Sequence, residues 1–525
     1  MLRMTFYVLS LLALVAIAVL GVFHPGAYYF LLLVIPLIGI GLYDIFIARQ
    51  NVLSNYPVIG HLRYIMEFIS PEIRQYFLES DKSGRPYTRQ QRGLIKARAH
   101  GSEAVHPFGT EYDVDESGYN LALHSLAVKK VPESAARVDI GGPQCTRPYN
   151  SSRLNISAMS FGALSNHAVL AMNKGAKLGG FAQDTGEGGL TPYHLEHGAD
   201  VIWEIGSGYF GCRTKDGRFD DEQFRKKACQ DPIKMIEIKL SQGAKPSHGG
   251  VLPGSKVNAE IAEIRGVPEG EDCVSPATHP EFDTPRGLLA FVERLRKLSD
   301  GRPVGFKLCV GRRSEFLSIC KAMVETGITP DFVTVDGAEG GTGAAPVEYS
   351  DRLGLVIDEA LPFVHNALTG CGLRDKIRII ASGKIVDGFD MAQKIALGAD
   401  VCNVARPMMF AVGCIQAQRC HTNTCPTGVA TQDARRARAI NIDTRAVHVK
   451  QYHAATIRSF LDITGSLGAA HPSELHPEHF LQRLPDQTPR SYADMFPAPD
   501  NGALLRGEIP ADFEKPWSRA SAERF

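Results

Sequence analysis

The sequence predicts an α/β protein built on a (β/α)8 TIM barrel, and two regularities of the chain indicate it. From about residue 150, eight short β-branched runs alternate with longer helical patterns over roughly 250 residues, the size of such a barrel. Glycine clusters follow most of these runs, as expected where barrel strands end at a ligand site. The pattern alone leaves a doubly wound open sheet as an alternative fold. The predicted strands are Leu154–Ala158, Phe181–Asp184, Val201–Ile205, Ile236–Leu240, Val304–Cys309, Phe332–Asp336, Ile377–Ala381 and Asp400–Val404.

The first 50 residues differ in kind from the rest of the chain. Thr5–Phe23 is an uncharged apolar run, His24-Pro25-Gly26 interrupts it, and Ala27–Tyr43 is a second apolar run. Each run is close to the ~20 residues that cross a bilayer as a helix, so we predict a transmembrane helical hairpin. The alternatives are a signal peptide, with Ala16-Ile17-Ala18 as a cleavage site, and a buried helix pair.

The charges around this hairpin predict its orientation. Arg3 and Arg49 flank the two runs, whereas the turn between them carries no Lys or Arg. By the positive-inside rule, we expect a two-pass protein of the cell (inner) membrane with a cytoplasmic catalytic domain. The predicted segments are the hairpin at 1–50, a mixed lead segment at 51–145 that packs on the barrel and contains a helix at Pro71–Leu78, the barrel domain at 146–432, and C-terminal helices and a tail at 433–525.

Three cysteines form the most specific local pattern. Cys414, Cys420 and Cys425 have the spacing C-x5-C-x4-C, and a proline follows the last of them. Three thiolates from one loop suit a soft metal centre but are one ligand short of a closed tetrahedral site. The spacing matches neither zinc ribbons nor ferredoxins, whereas a three-iron cluster with one empty corner would need three ligands. The alternative is three free cysteines in a protein of a reducing compartment.

Two loops late in the barrel pattern are candidates for phosphate binding. Ser382-Gly383-Lys384 follows the seventh predicted strand, and Ala405-Arg406 follows the eighth. Barrels often bind phosphate there, because glycine exposes backbone N–H groups and a basic side chain supplies charge. The alternative is a tight turn with solvated basic residues. The Gly340-Gly341-Thr342-Gly343 loop after the sixth strand could press against a planar ring or phosphate.

Two charged residues stand out from their surroundings. Lys307 lies inside the apolar run Val304–Cys309, where a lysine is costly without a partner. An anionic ligand or a reduced flavin would supply that partner, and a snorkelling lysine is the alternative. Glu187, flanked by glycines after the second strand, would lie at the barrel mouth; its alternative role is helix capping. Equal numbers of basic and acidic residues, 57 each, provide no field that suggests nucleic acid.

From about Leu154 to Gln432 the chain resembles the FMN-binding, cluster-carrying synthase domain of glutamate synthases. The matching segments, in the family's order, are SAMSFGALS, DTGEGG, SQGAKPSHGGVLPGSKV, VDGAEGGTGAAP and CIQAQRCHTNTCPTGVATQ. The resemblance implies a barrel that holds FMN, and a 3Fe-4S cluster bound by Cys414, Cys420 and Cys425. It also implies that Glu187 lies in the ammonia-entry and substrate loop, and that Lys307 lies near flavin and 2-oxoglutarate.

These patterns yield a set of candidate site residues. Lys307 and Glu187 are the predicted catalytic residues. The predicted cofactor-binding residues are Ala158, Met159, Ser160, Lys307, Gly341, Thr342, Gly343, Ser382, Gly383, Lys384, Ala405 and Arg406.

The chain also departs from the large synthases. It begins Met1-Leu2, without the nucleophilic cysteine of an amidotransferase domain, so we expect that domain to be missing. It has no GxGxxG-type dinucleotide fingerprint for NAD(P)H or FAD. Ser247-His248 stands where the large synthases carry Gly-Glu.

The predicted function is therefore an FMN and iron–sulfur oxidoreductase that reduces 2-iminoglutarate, from 2-oxoglutarate and ammonia, to L-glutamate. Electrons would come from a separate donor, a ferredoxin or an NAD(P)H-oxidising subunit, and nitrogen from free ammonia or a separate amidotransferase subunit. One alternative is an N-substituted glutamate synthase or related amine/imine oxidoreductase. Another is a membrane electron-transfer subunit without its own substrate.

Overall fold

The computed structural model describes residues 2–48, 50–105 and 107–525. The chain divides into two compact units, Met1–Gln90 and Gln91–Phe525, so the boundary falls within the predicted lead segment 51–145. Arg49, one of the two arginines behind the predicted orientation, lies outside the described residues.

The two apolar runs of the first unit form the predicted pair of helices. By length and composition, Arg3–Phe23 and Pro25–Phe46 are each sufficient to cross a membrane. Gly41 lets the two helices approach closely, because a Cβ there would come 2.1 Å from the ring of Phe6. The elements of this unit are helices Leu2–Phe23, Leu31–Phe46, Asn51–Asn55 and Gly60–Ile73, a 3-10 turn at Pro25–Phe30, and a π-helical turn at Arg74–Leu78.

Eight parallel strands of the second unit close into a barrel, which confirms the predicted fold class and excludes the open sheet. Neighbours in sequence pair with each other, and the last strand pairs with the first through Cys402 and Leu154. Each strand end lies within three residues of its predicted position. The strands are β1 Leu154–Ile156, β2 Ala182–Asp184, β3 Asp200–Ile205, β4 Ile233–Lys239, β5 Val304–Leu308, β6 Phe332–Asp336, β7 Arg378–Ser382 and β8 Val401–Val404.

Helices surround the barrel and connect its strands. The longest, Ile442–Ser466, packs along Asn166–Gly179, where Gly175 allows close approach because a Cβ would lie 2.7 Å from Val449. The other α-helices are Arg89–Ala99, Pro192–Leu195, Asp221–Ala228, Ala259–Arg265, Pro285–Leu298, Arg313–Thr326, Val347–Arg352, Ile357–Gly370, Gly388–Ala396, Arg406–Val412, Ala434–Ala437, Tyr492–Met495 and Ala511–Arg519. Short strands outside the barrel are Asn120–Ala122, Phe480–Arg483, Pro489–Ser491, Val251–Leu252 and Cys273–Val274.

A β-hairpin closes the amino-terminal end of the barrel. Its strands, Arg137–Ile140 and Tyr149–Ser152, carry Ile140 and Tyr149 into a buried cluster. The Tyr149 hydroxyl also donates a hydrogen bond of 2.9 Å to Asp200. The cluster residues from the barrel strands are Ala182, Ile202, Met235, Phe332, Ile380 and Val401. Because this end is filled with apolar side chains, the opposite, carboxyl end is the one available for a site.

This apolar closure predicts a stability effect. Ile140→Ala removes a fully buried side chain and should lower the free energy of unfolding by about 2–5 kcal/mol. Leu126→Ala, at a side chain that is 99% exposed, is the matched control and should change it by less than about 0.5 kcal/mol. Chemical denaturation of both variants measures the difference. If the two variants were equally stable, the apolar closure of the barrel by this hairpin would be contradicted.

Candidate active site at the carboxyl end of the barrel

Lys307 lies inside the barrel, where it forms ion pairs with carboxylates of neighbouring strands. Its side chain is 5% exposed, and Nζ contacts Glu204 of β3 and lies 3.3 Å from Oε2 of Glu237 of β4. We expected an anionic ligand or a flavin as its partner, and the structure corrects that expectation. Asp184 of β2 completes the group, since one oxygen of each of the three carboxylates lies within 4.8 Å of the others.

The charge balance of this group requires a retained proton. Three carboxylates face one lysine in a buried space, so full ionisation would leave a net negative charge in a medium of low polarity. Burial, together with the neighbouring Asp184, raises the pKa of Glu237 well above its usual range. Burial also raises the pKa of Asp184, although Lys307 opposes it. Glu237 is therefore the carboxyl group of this cluster that most favours its protonated form.

Glu187 lies in the loop after β2, at the carboxyl end of the barrel. Its Oε1 forms an ion pair of 2.9 Å with Nζ of Lys239, at the end of β4. The Ser275 hydroxyl lies 3.4 Å from Oε2. Burial alone would raise the pKa of Glu187, but Lys239, Lys245 and Arg265 lower it to about 2. Glu187 is thus an ionised side chain held by an ion pair. These contacts are not those of a helix cap, which was the alternative role considered for Glu187.

The loops after β6, β7 and β8 meet at one side of the mouth. Arg406 Nη2 donates to the Glu339 carbonyl at 2.6 Å, and Gly341 lies against the same guanidinium, where a Cβ would come 2.8 Å from Nε. Gly341, Thr342 and Gly343 are exposed, and the Thr342 hydroxyl donates to the Ala344 carbonyl. The structure therefore brings the predicted β6 loop and Arg406 together.

The loop after β7, which we predicted to bind phosphate, contains two residues with positive φ. Ser382 is buried at the end of β7, Gly383 has a φ of +149°, and Lys384 is exposed with a φ of +46°. Ala405 immediately precedes the helix that begins at Arg406, on the neighbouring strand. Ser382, Gly383, Lys384, Ala405 and Arg406 therefore lie on adjacent loops, as the sequence predicts for a shared binding region.

One buried amide beside these loops lacks a hydrogen bond. Asn403 of β8 is the register partner of Ser382 on β7 and of Asn155 on β1, and it is 2% exposed. Its side-chain oxygen has no hydrogen-bond partner in the part of the chain that the structure describes. Buried amide oxygens are nearly always paired, so a donor from a ligand at the mouth would complete this site.

The loop after β1 forms a wall beside the predicted phosphate loops, since β1 pairs with β8 and Ser157 Oγ lies 3.4 Å from Ser382 Oγ. Ala158, Met159 and Ser160 are half-buried there. The glycines of the β2 loop pack on their backbone, because a Cβ on Gly186 would come 2.7 Å from the Ser160 nitrogen. At Gly188 a Cβ would come equally close to the Ser160 side chain. Gly186 and Gly188 of DTGEGG are therefore explained by contact between these two loops.

The cysteine loop holds its three thiols in unlike surroundings. Burial raises the pKa of Cys414 to about 12 and also raises the pKa of Cys420. Burial opposes ionisation of Cys425 as well, but hydrogen bonds from the Ala430, Thr427 and Val429 backbone bring its pKa below the usual value. Cys425 is thus the thiol best prepared to act as a thiolate ligand.

The spacing of the sulfur atoms bears on the kind of metal centre. Among the described residues, three ligand atoms within 4.8 Å of one another occur only in the Asp184–Glu204–Glu237 group, so the three sulfurs are spread more widely. A single zinc ion would need its thiolates within about 4 Å of one another. In an iron–sulfur cluster each cysteine binds a different iron atom, so the sulfur atoms do not need to lie this close together.

Direct hydrogen bonds tie the cysteine loop to the β1 loop. The Val429 carbonyl accepts from the Ser165 amide at 2.9 Å. Gln432 Nε2 donates to the carbonyls of Gly162 and Leu164 at 3.0 and 2.8 Å. A buried lysine, Lys256, donates to the Ala163 carbonyl at 2.9 Å on the same side. The candidate metal loop and the candidate cofactor wall therefore form one connected structure.

Sequence reasoning missed several charged residues of this site. Glu204 and Glu237 lie in the apolar strands VIWEI and IKMIEIK, a signal of the same kind that identified Lys307. Asp184, at the end of β2, and Lys239, at the end of β4, were also missed. Lys256 and Arg265 carry no such signal, since they lie in the long segment between β4 and β5, whose position against the β1 and cysteine loops has no local pattern.

The sequence is similar to that of known proteins. A family model described as the conserved region in glutamate synthase matches residues 129–470. The chain belongs to the glutamate synthase family. It is 38% identical over 484 residues to the glutamate synthase large subunit-like protein YerD of Bacillus subtilis, covering 83% of this chain and 91% of that protein.

Other relatives within the glutamate synthase family are longer than the matched region. The chain is 35% identical over 314 residues to the archaeal glutamate synthase (NADPH) of Methanocaldococcus jannaschii, covering 60% of this chain and 58% of that protein. Among solved structures, a mutant flavocytochrome b2 with pyruvate bound aligns at 13% identity and a TM-score of 0.42, covering 79% of this chain and 85% of that one. That last similarity is too low to carry any argument about function.

Family membership confirms the predicted resemblance and the enzyme class. Glutamate synthases are oxidoreductases that act on CH–NH2 groups, so this chain is an oxidoreductase of glutamate synthase type. The roles of individual residues in this chain do not follow from membership alone.

Lys307→Met tests the buried charge group. The change leaves Asp184, Glu204 and Glu237 without their cation and should lower the free energy of unfolding by about 3–5 kcal/mol. Adding Glu204→Gln should recover part of the loss, because it removes one uncompensated charge. Lys297→Met, at an exposed side chain, is the control and should have little effect. A Lys307→Met protein as stable as the control would contradict the group.

The Glu187 ion pair predicts a pH dependence of stability. Because the pKa of Glu187 in the folded protein, about 2, lies below its ordinary value of 4.5, the pair stabilises the fold above pH 4.5. That contribution is lost as the pH falls toward 2. The wild type should exceed Glu187→Gln by on the order of 2–3 kcal/mol at pH 6 and by clearly less at pH 3.5. Glu348→Gln, at an exposed position, should show no such pH-dependent difference.

Proposed function

We propose that this protein is an FMN and 3Fe-4S oxidoreductase that reduces 2-iminoglutarate, formed from 2-oxoglutarate and ammonia, to L-glutamate with electrons from a separate donor. Family membership supports the reaction type. The observation that carries the proposal is the cysteine loop, fastened through Ser165 and Gln432 to the β1 loop that forms the predicted flavin wall. A cluster and a flavin held there would be close enough to exchange electrons.

The residues at the mouth fit FMN. The Ser382-Gly383-Lys384 turn and Arg406 would hold the phosphate, while Ala158, Met159 and Ser160 would line the ring. The unpaired Asn403 oxygen lies between β7 and β1, where a flavin offers N–H and hydroxyl donors. When bound, FMN collects two electrons and delivers them as hydride. Cys414, Cys420 and Cys425 would bind the cluster, which passes single electrons.

The charged residues at the mouth suit a dicarboxylate substrate. Lys239 forms an ion pair with the Glu187 carboxylate, and the buried Lys245 lies close enough to it to help lower its pKa. Burial lowers the pKa of Lys245 to about 8, so an arriving carboxylate would favour its charged form. Glu187, held as an anion, would orient ammonium. Lys307, within the interior group, would fix the electrostatic field beneath the reacting centre rather than meet the substrate from the surface.

We further propose that the two apolar helices anchor the protein in the cell membrane with the barrel domain in the cytoplasm. Their length and composition support this location, and Arg3 at the first helix supports the orientation. The donor would be a ferredoxin or an NAD(P)H-oxidising subunit, and nitrogen would be free ammonia or the product of a separate amidotransferase subunit.

Anaerobic purification followed by flavin extraction, iron and sulfide analysis and EPR tests the cofactors. One FMN and three irons per chain are expected. Replacing Cys414, Cys420 or Cys425 individually with Ser should abolish the cluster EPR signal and leave flavin bound. Cys229→Ser, at an exposed cysteine outside the loop, is the matched control and should retain both. Bound zinc, or a cluster that survives all three replacements, would rule out the assignment.

Steady-state assays of the reduced enzyme test the substrate. Glutamate should form from 2-oxoglutarate with ammonia, and Glu187→Gln should lower kcat/KM by at least about tenfold, equivalent to 1.4 kcal/mol. Faster turnover with methylamine would instead favour an N-substituted glutamate synthase. Electron transfer to a partner without turnover of any 2-oxoacid would favour an electron-transfer subunit.

A further inference from the structure

Four lysines are buried in the part of the chain that the structure describes, and Lys256 differs from the other three in its surroundings. Each of the others lies close to a carboxylate; the pairs are Lys307 with Glu204, Lys394 with Asp358, and Lys245 with Glu187. Lys256 forms no ion pair with a carboxylate of the described residues, and its Nζ donates to a backbone carbonyl instead. A buried ammonium without an anion is costly, so this position calls for an anion of another kind.

The Lys256 side chain is held in place by the structure around it. It is 2% exposed and stands at the end of the 3-10 turn Gly254–Lys256. Its Nζ donates to the Ala163 carbonyl at 2.9 Å, so the side chain reaches the loop after β1. The Lys256 amide donates to the Pro253 carbonyl at 2.8 Å, which fixes the backbone of the turn. The ammonium therefore has a defined position inside the protein and is not a solvated surface charge.

The same turn is fastened to the cysteine loop. Asn423, which lies between Cys420 and Cys425 in the sequence, donates from Nδ2 to the Ser255 carbonyl at 2.9 Å. Oδ1 of Asn423 in turn accepts from the Gln432 amide at 2.7 Å. The amide side chain of Asn423 thus joins the turn that carries the lysine to the loop that carries the thiols.

The charges around Lys256 leave it only partly compensated. Cys420 and Cys425 favour its charged form, whereas Arg265, a second buried cation, opposes it. Burial has the largest effect and lowers the pKa of Lys256 to about 8. A stronger anion at the three thiols would stabilise the ammonium that the chain itself leaves without a counter-ion.

An iron–sulfur cluster at these thiols has the required charge. The oxidised core of a three-iron cluster carries one positive charge, which three thiolates outweigh, so the whole centre is an anion. Reduction by one electron adds a further negative charge. A nearby ammonium therefore stabilises the reduced state more than the oxidised state.

We propose that Lys256 is the built-in counter-ion of the cluster at Cys414, Cys420 and Cys425, and that its charge raises the reduction potential of that cluster. The inference rests on the 3Fe-4S cofactor of the proposed function. Lys256 acts through its charge alone: the cluster takes up one electron from the separate donor, and no bond to the lysine forms or breaks. The lysine thereby favours transfer of electrons from the donor into the protein.

A redox titration of the full-length, anaerobically purified protein, followed by the EPR signal of the oxidised cluster, tests the inference. With dithionite as reductant, Lys256→Met should lower the midpoint potential. At the wild-type midpoint the ratio of reduced to oxidised cluster should fall at least about tenfold, which is about 59 mV for one electron. Lys256→Arg, which keeps the charge, should stay within about threefold of the wild type. Lys297→Met, at a side chain that is 73% exposed, is the control and should not change the midpoint.

Lys256→Gln separates the charge from the hydrogen bond. Its neutral amide can still donate to the Ala163 carbonyl, so a role in hydrogen bonding alone predicts a wild-type midpoint for this variant. A role as counter-ion predicts a midpoint lowered as in Lys256→Met. Gln also serves as the readable variant if the Met chain does not retain its cluster.

Melting temperatures provide a second readout that a purely structural lysine would not produce. With the cluster bound, Lys256→Met should lower the melting temperature, because it removes the counter-ion. In a chain with Ser at Cys414, Cys420 and Cys425, the same change should leave the melting temperature unchanged or raise it, since the ammonium has no anion there. A structural role predicts the same loss in both chains.

The possible failures are distinguishable. A wild-type midpoint in Lys256→Met and Lys256→Gln, with the cluster signal intact, would overturn the role of Lys256 and leave the cofactor assignment standing. Equal losses of melting temperature with and without the three cysteines would also overturn that role. Absence of a three-iron signal from the wild type would overturn the cofactor assignment, and this inference with it.

Discussion

Lys307 is shared, inside the barrel, among carboxylates that project from neighbouring strands. Glu204, Glu237 and Asp184 reach it from β3, β4 and β2, so the strand register must bring all four charged ends to one level. A shift of one strand by one residue would turn its charge outward and leave the others uncompensated in a buried space. Below this level the barrel is filled by apolar side chains, and above it the loops begin. The group thus marks the boundary between the structural and the functional half of the barrel.

Contacts lead from this group to the surface in short steps. Asp184 accepts the Gly186 amide at 2.9 Å, which fixes the start of the loop that carries Glu187. That loop packs on the backbone of Met159 and Ser160. The same β1 loop, a few residues further on, is fastened to the cysteine segment through Ser165. Backbone contacts therefore connect the interior charge group to the elements that would hold both redox groups.

The sequence predicted the parts of this protein whose determinants are local. The eight strands are apolar runs bounded by glycine, and each was located to within three residues. Lys307 stands out in the sequence because a charge in an apolar strand is unfavourable without a partner, but the sequence does not identify that partner. Its partners are Glu204 and Glu237, which lie 103 and 70 positions away, and no local pattern links them. The same holds for Lys256, whose position beside the cysteine loop depends on the long segment between β4 and β5.

The balance of charge at the mouth bears on which ligands it can accept. Lys239, Lys245 and Arg265 converge on the single carboxylate of Glu187. Burial lowers the pKa of Lys245 to about 8, which means that its charged form is only partly stabilised by the protein. An anionic ligand would supply the missing stabilisation and take up the excess positive charge. A cationic ligand would be accepted there only after an anion has offset these positive charges. The proposed dicarboxylate substrate meets this electrostatic requirement, whereas ammonia alone does not, so the oxoacid should bind before nitrogen is added.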